Sequence, residues 1–157
     1  MPMKWKVYGI AILLTEAVGA LSGWLARDGT RLYATMIEKP PCSPPGVVFP
    51  VAWALLYALM GIGAARVWSA PASETRTRAL RVFWGQLAFN FFWSLIFFNL
   101  RAYGFAFLWL AVLWVLIFWM IRTFRPVDRL AAKLQIPYLV WVTFAAYLNL
   151  GVWVLNR

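Results

Sequence analysis

Apolar runs of about twenty residues alternate with short charged segments along the whole chain. The first covers about residues 5–26, between Lys4 and Lys6 on one side and Arg27 on the other. The others cover about 46–68, 79–99, 102–122 and 134–155. An α-helix rises about 1.5 Å per residue and the hydrocarbon core of a bilayer is about 30 Å thick, so each run is long enough to cross it. The pattern predicts an all-α membrane protein, one transmembrane domain over residues 1–157 built as a five-transmembrane-helix bundle. The first run imitates a signal peptide, with Ala20-Leu21-Ser22 as a small-residue site. It is longer than the 7–15 residues typical of a signal's apolar region, so it is read as a retained helix.

The punctuation fits this division. Pro50 and Pro137 fall in the first turns of the second and fifth runs, where a missing N–H is tolerated. Only Asn99 to Arg101 separates the third run from the fourth, which makes them antiparallel neighbours. The longest connection, about residues 27–45, holds Arg27, Asp28, Arg31, Glu38 and Lys39, then Pro40, Pro41, Pro44 and Pro45. Its proline half cannot be helical. The segment is expected to take a defined extended path, as a lid over one end of the bundle.

Composition sharpens the reading. Of the 157 residues 64% are hydrophobic and 13% charged, far from the roughly even apolar share and one-quarter charge of soluble domains. The formal charge of +10 does not point to nucleic acid, because the cations form short clusters between apolar runs and no continuous basic stripe. It points to topology. Lys4, Lys6, Arg66, Arg76, Arg78, Arg81, Arg122, Arg125, Arg129 and Lys133 fall on one side, and Arg27, Arg31, Lys39, Arg101 and Arg157 on the other. Cations are retained in the cytoplasm, so the N-terminus is expected there, with the proline-rich loop and the C-terminus outside. With one cysteine, Cys42, and no histidine, a single chain has no disulfide framework, Cys/His zinc site, histidine-ligated haem or histidine-based triad.

Polar groups inside membrane helices are few, and their spacing shows which faces turn inward. Gln86, Asn90 and Ser94 recur every fourth residue, so they share one face of the third span. Such groups serve either as interhelical glue or as a cavity wall, and three in line favour the wall. Tyr138, Trp141, Ala145 and Asn149 share a face of the fifth span, as do Pro50, Trp53, Tyr57 and Met60 of the second. These faces join ring surface to a few hydrogen-bonding groups, the makeup of a pocket for a flat apolar ligand. Interfacial belts also enrich Trp and Tyr, so no single aromatic decides the matter. The fourth span, with Phe105, Phe107, Trp109, Trp114, Phe118 and Trp119, has almost no polar group and is expected to face mainly lipid. Glu16 lies near the middle of the first span on the face of Gly19 and Gly23, and both proton coupling and a neutral structural hydrogen bond are open to it.

Three ordered stretches carry a resemblance: Glu38-Lys-Pro-Pro-Cys-Ser-Pro-Pro-Gly-Val-Val-Phe-Pro-Val-Ala-Trp-Ala-Leu-Leu-Tyr57, Gln86-Leu-Ala-Phe-Asn-Phe-Phe-Trp93, and Ile136-Pro-Tyr-Leu-Val-Trp-Val-Thr-Phe-Ala-Ala-Tyr-Leu-Asn149. The chain resembles the TspO/MBR family of tryptophan-rich sensory proteins and translocator proteins, the latter known as peripheral-type benzodiazepine receptors. It departs from the family at Cys42, where a tryptophan is usual, and at Leu32-Tyr33 in place of a Trp-Tyr pair.

The resemblance implies a receptor that binds porphyrins and benzodiazepine- or isoquinoline-type compounds, with sterols in animal members, and that often forms a homodimer. It implies no obligatory cofactor and a location, for a bacterial member, in the cytoplasmic membrane. Carried over by motif, the ligand-binding residues are Trp53, Tyr57, Gln86, Asn90, Trp93, Tyr138, Trp141, Ala145 and Asn149. Arg31 and Lys39 are candidates to pair with porphyrin propionates. A light- or oxygen-dependent porphyrin-degrading activity is the alternative, as is transport of porphyrin-like molecules with Glu16 as coupling carboxylate. No internal repeat of the kind that underlies many transporter folds is evident.

Overall fold

The computed structural model describes residues 2–157, with side chains from Trp5 onward. The side chain of Lys4, one of the cations counted for topology, lies outside the described residues. The regular structure of the described residues is all helical, without a strand: α1 (Pro2–Leu25), α2 (Arg27–Met36), α3 (Val48–Trp68), α4 (Glu74–Ser94), α5 (Tyr103–Phe124), α6 (Arg129–Lys133) and α7 (Ile136–Asn156). A π-helical turn, Leu95–Asn99, continues α4. Four stretches are long and apolar enough to cross a membrane: Trp5–Leu25, Val48–Trp68, Tyr103–Phe124 and Arg129–Asn156. The fifth predicted crossing, 79–99, lies in α4 and its π turn and is not among them. Arg81, Gln86 and Asn90 dilute its apolar character.

Two boundaries differ from the sequence expectation. The connection 27–45 is not extended throughout, since its first half forms α2. Tertiary contact explains this: Tyr33 is buried against Phe97 and Phe98, at 5.6 and 5.4 Å between ring centroids. Gly29 comes so close to the backbone of Phe98 that no Cβ would fit. α4 starts at Glu74, earlier than the apolar run, because the Ser73 hydroxyl caps it by accepting the Arg76 N–H at 3.1 Å.

Small residues and hydroxyls set the helix crossings. α1 meets α3 where Gly61 lies against the backbone of Ile12, and Thr15 Oγ1 donates to the Tyr57 carbonyl at 2.7 Å. Ser22 Oγ ties α1 to the Phe91 carbonyl of α4 at 2.9 Å. α5 lies between α4 and α7, burying Leu110, Leu113, Ile117, Met120 and Phe124. The fourth span exposes one apolar face, with Phe105, Leu108, Val112, Val115, Phe118 and Trp119, and packs the opposite face into the core. Trp109 and Trp114 also spend their indole N–H groups inward, on the Phe89 carbonyl and the Thr143 hydroxyl, each at 2.8 Å.

The proline segment is stapled to the end of α7. Asn156 exchanges two hydrogen bonds with the backbone of Glu38, at 2.8 and 3.1 Å. Tyr147 donates to the Pro41 carbonyl at 2.6 Å, and Pro40 is buried where Gly151 leaves room for its ring. Cys42 holds a left-handed backbone conformation at φ 68°, a geometry that a bulky tryptophan would adopt no more easily.

Candidate functional site

A cavity of about 870 Å³ opens beneath α2 and the proline segment, large enough for a ligand of drug size or above. α3 supplies Phe49, Pro50, Trp53 and Tyr57, and α7 supplies Trp141, Ala145, Leu148 and Asn149. Trp93, Ser94, Phe97 and Phe98 come from the end of α4 and its π turn. The π turn brings the consecutive Phe97 and Phe98 to the same cavity. Rings meet across the gap between α3 and α7. Trp53 lies 6.3 Å from Trp141, edge to face at 86°, and 6.3 Å from Tyr138.

α1 makes a wall that the sequence analysis did not assign. Glu16, Gly19, Ala20, Ser22 and Gly23 line the cavity, and a side chain at Gly23 would enter open space. The small-residue spacing of Gly19 and Gly23 was the available signal; it opens a cavity here as well as letting the Tyr57 ring approach α1. Tyr33 and Arg27 of the α2 region were missed too.

The predicted residues separate into two groups. Trp53, Tyr57, Trp93, Trp141, Ala145 and Asn149 line the cavity, as do Arg31, Lys39 and Glu16. Gln86, Asn90 and Tyr138 do not; they are buried beneath it and spend their polar atoms on one another. Tyr57 Oη donates to Asn90 Oδ1, Asn90 Nδ2 to Tyr138 Oη at 2.7 Å, and Tyr138 Oη to Gln86 Oε1 at 2.7 Å. Gln86 Nε2 ends the series on the sulfur of Met60 at 3.9 Å. Burial without water makes such mutual satisfaction obligatory, so these amides tie α3, α4 and α7 together. Asn149 is likewise occupied, accepting from Trp93 Nε1 at 3.1 Å and donating to the Tyr103 carbonyl at 2.8 Å. The indole N–H of Trp141 is buried and has no protein acceptor.

The cavity's cations, Arg27, Arg31 and Lys39, lie on α2 and at the start of the proline segment. Lys39 is engaged there, its ammonium donating to the Ile37 and Ala34 carbonyls at 3.1 and 3.4 Å and lying 4.9 Å from the Tyr33 ring centre. Arg27 donates to the Trp24 carbonyl at 2.7 Å with its guanidinium 4.2 Å over that indole. Arg31 faces Asp28 only loosely, at 3.9 Å with both side chains about four-fifths exposed, so it is available to another anion. Glu16 accepts no hydrogen bond from the described residues.

At the far end of the bundle, Arg66 Nε pairs with Asp128 Oδ1 at 2.9 Å. The carboxylate also caps α6 by accepting the Ala131 N–H at 2.8 Å. Burial alone would raise the Asp128 carboxyl, but the Arg66 hydrogen bond and charge and the Ala131 and Leu130 amides outweigh it and hold it below its ordinary range.

The model of the TspO/MBR family matches residues 11–154. Protein CrtK of Rhodobacter capsulatus is 40% identical over 97% of this chain and 92% of its own length. The sheep (Ovis aries) translocator protein is 33% identical over the whole chain and 94% of its own length. A tryptophan-rich sensory protein of Cereibacter sphaeroides is 33% identical over 99% of the chain and 95% of its own length. The apolar helices and these bacterial relatives mark an integral membrane protein of the bacterial inner-membrane kind. Matched almost from end to end, and carrying all three motifs on the elements described above, the chain belongs to the TspO/MBR family.

Proposed function

We propose that this protein is a membrane receptor for flat, largely apolar ligands bearing anionic groups, of the tetrapyrrole class, held in the cavity under α2 and the proline segment. The observation that carries the reading is the combination of a cavity walled by Trp53, Trp93, Phe97 and Trp141 with cations at Arg27 and Arg31 beside it. A planar ring system gains from ring contact and from leaving water, and carboxylate tails pair with guanidinium groups. Uncharged benzodiazepine, isoquinoline or sterol-like ligands would use the same walls without the cations.

The topology that suits this reading has five crossings, with α4 as the fifth. Its amides are turned into the bundle, where Asn90 and Gln86 are satisfied by Tyr57, Tyr138 and Met60, so they meet no lipid. The charge distribution supports an N-terminus in the cytoplasm and a cavity mouth outside.

The test is a titration of protein in nanodiscs with protoporphyrin IX in the dark, following tryptophan fluorescence. Saturable quenching that weakens in Trp141→Phe and in the double variant Arg27→Gln, Arg31→Gln is expected. Quenching that is non-saturable, or identical in all three proteins, overturns the proposal. A light-dependent absorbing product lost in Trp141→Phe would instead favour degradation of the bound porphyrin.

A further inference from the structure

We infer that the cavity floor selects ligands that donate a hydrogen bond to the Tyr57 oxygen, a polarity set outside the cavity by Gln86 and the sulfur of Met60. The inference rests on the cavity being a ligand site, as proposed above, and adds which atom type the ligand must present.

The chain of hydrogen bonds beneath the floor runs in one direction. Its far end fixes that direction. A thioether sulfur accepts and does not donate, so the Gln86 group facing Met60 Sδ at 3.9 Å is the NH2. Gln86 then turns Oε1 to Tyr138, which must donate to it, at 2.7 Å. With its proton committed, the Tyr138 oxygen accepts from Asn90 Nδ2 at 2.7 Å. That leaves Asn90 Oδ1 toward Tyr57, and a carbonyl oxygen accepts only, so the Tyr57 hydroxyl donates to it. The opposite orientation would set the Gln86 carbonyl against the sulfur lone pairs and leave that buried oxygen without a donor, which is the costlier arrangement.

Tyr57 is the one member of this chain that lines the cavity. Its proton is committed inward, and no donor among the described residues bonds its phenol oxygen. What Tyr57 offers a ligand that reaches its phenol oxygen is therefore an acceptor. A donor bound there would also extend the chain, each bond polarising the next.

The experiment compares two flat tricyclic probes of nearly equal shape, carbazole, which carries an N–H, and dibenzofuran, which carries an ether oxygen. Each is equilibrated between nanodiscs containing the protein and empty nanodiscs, so that partition into lipid cancels. The readout is the change in the ratio of the two dissociation constants between wild type and variant, in which any preference of Trp141 for acceptors cancels.

Tyr57→Phe is expected to shift the ratio toward dibenzofuran by about fivefold, the worth of one net hydrogen bond. Gln86→Leu, which touches no ligand, removes the acceptor of the Tyr138 proton. Tyr138 then donates to Asn90, the Asn90 amide turns to donate to Tyr57, and the Tyr57 proton is freed toward the cavity. The ratio is expected to reverse in that variant, which loss of packing alone would not produce. A ratio unchanged in Tyr57→Phe overturns the inference, and a shift in Tyr57→Phe without one in Gln86→Leu overturns the part assigned to Gln86 and Met60. Absence of saturable binding of either probe and of protoporphyrin IX alike would fell the proposed receptor function itself, and this inference with it.

Discussion

Tyr138→Phe removes a single oxygen from the centre of the bundle and breaks two hydrogen bonds. In the wild type that oxygen, on a side chain only 1% exposed, accepts from Asn90 and donates to Gln86. Phenylalanine fits the same space, so no packing is lost. What changes is that Gln86 Oε1 and one Asn90 N–H lose their partners in a place water does not reach. An unsatisfied buried group costs about 1–3 kcal/mol in soluble proteins, while hydrogen bonds within membrane proteins average nearer 0.6 kcal/mol. Two such losses give about 2 kcal/mol. For a protein of this size that corresponds to about 4–8 °C in melting temperature. Tyr147→Phe is the matched control, because it removes one hydroxyl that bonds the Pro41 carbonyl from a 44% exposed ring at the edge of the bundle, outside the buried chain. The assay is thermal unfolding in nanodiscs followed by tryptophan fluorescence, with both variants beside the wild type. Equal melting temperatures for Tyr138→Phe and Tyr147→Phe would refute the claim that the buried chain holds the helices together.

Other perturbations test separate parts of the structure. Gly61→Ala places a methyl group against the Ile12 backbone and is expected to destabilise by about 1–3 kcal/mol in the same unfolding assay, whereas Gly85→Ala, which meets nothing within 4 Å, is expected to be neutral or stabilising. Asp128 has a depressed carboxyl, so its contribution is present above the unfolded value near pH 4 and is lost as pH falls through the lower folded value. Asp128→Asn keeps an α6 cap but is expected to lose about 1 kcal/mol at neutral pH and to flatten the acid limb of the stability profile. Asn156→Ala cuts both bonds to Glu38, and faster amide hydrogen exchange over residues 38–45, with no change in α5, is the expected result.

The sequence showed which faces of the spans look inward, because the spacing of rings and amides survives translation into helices. Trp53, Tyr57, Trp141, Ala145 and Asn149 all reach the cavity. It did not show which polar groups are already satisfied. Gln86 and Asn90 share a face of α4, but their partner Tyr138 comes from α7, far along the chain, and only the meeting of the two helices reveals the bonds. The α2 segment was illegible for a related reason. Arg-Asp-Gly-Thr-Arg-Leu-Tyr-Ala-Thr-Met holds few apolar residues, and it is helical because Tyr33 finds Phe97 and Phe98 and Gly29 admits the Phe98 backbone. The cavity wall on α1 escaped notice because Gly19, Ala20 and Gly23 act through the space they leave.

Filling that space tests the receptor account most directly. At Gly23 a Cβ meets nothing within 4 Å and the position lines the cavity, so the indole of Gly23→Trp is expected to occupy the space where the ligand is placed. Dark titration with protoporphyrin IX, beside a thermal melt of the same sample, is the measurement. The account predicts a melting temperature close to that of the wild type and at least a tenfold loss of porphyrin affinity. An unchanged affinity in a folded Gly23→Trp protein would contradict it.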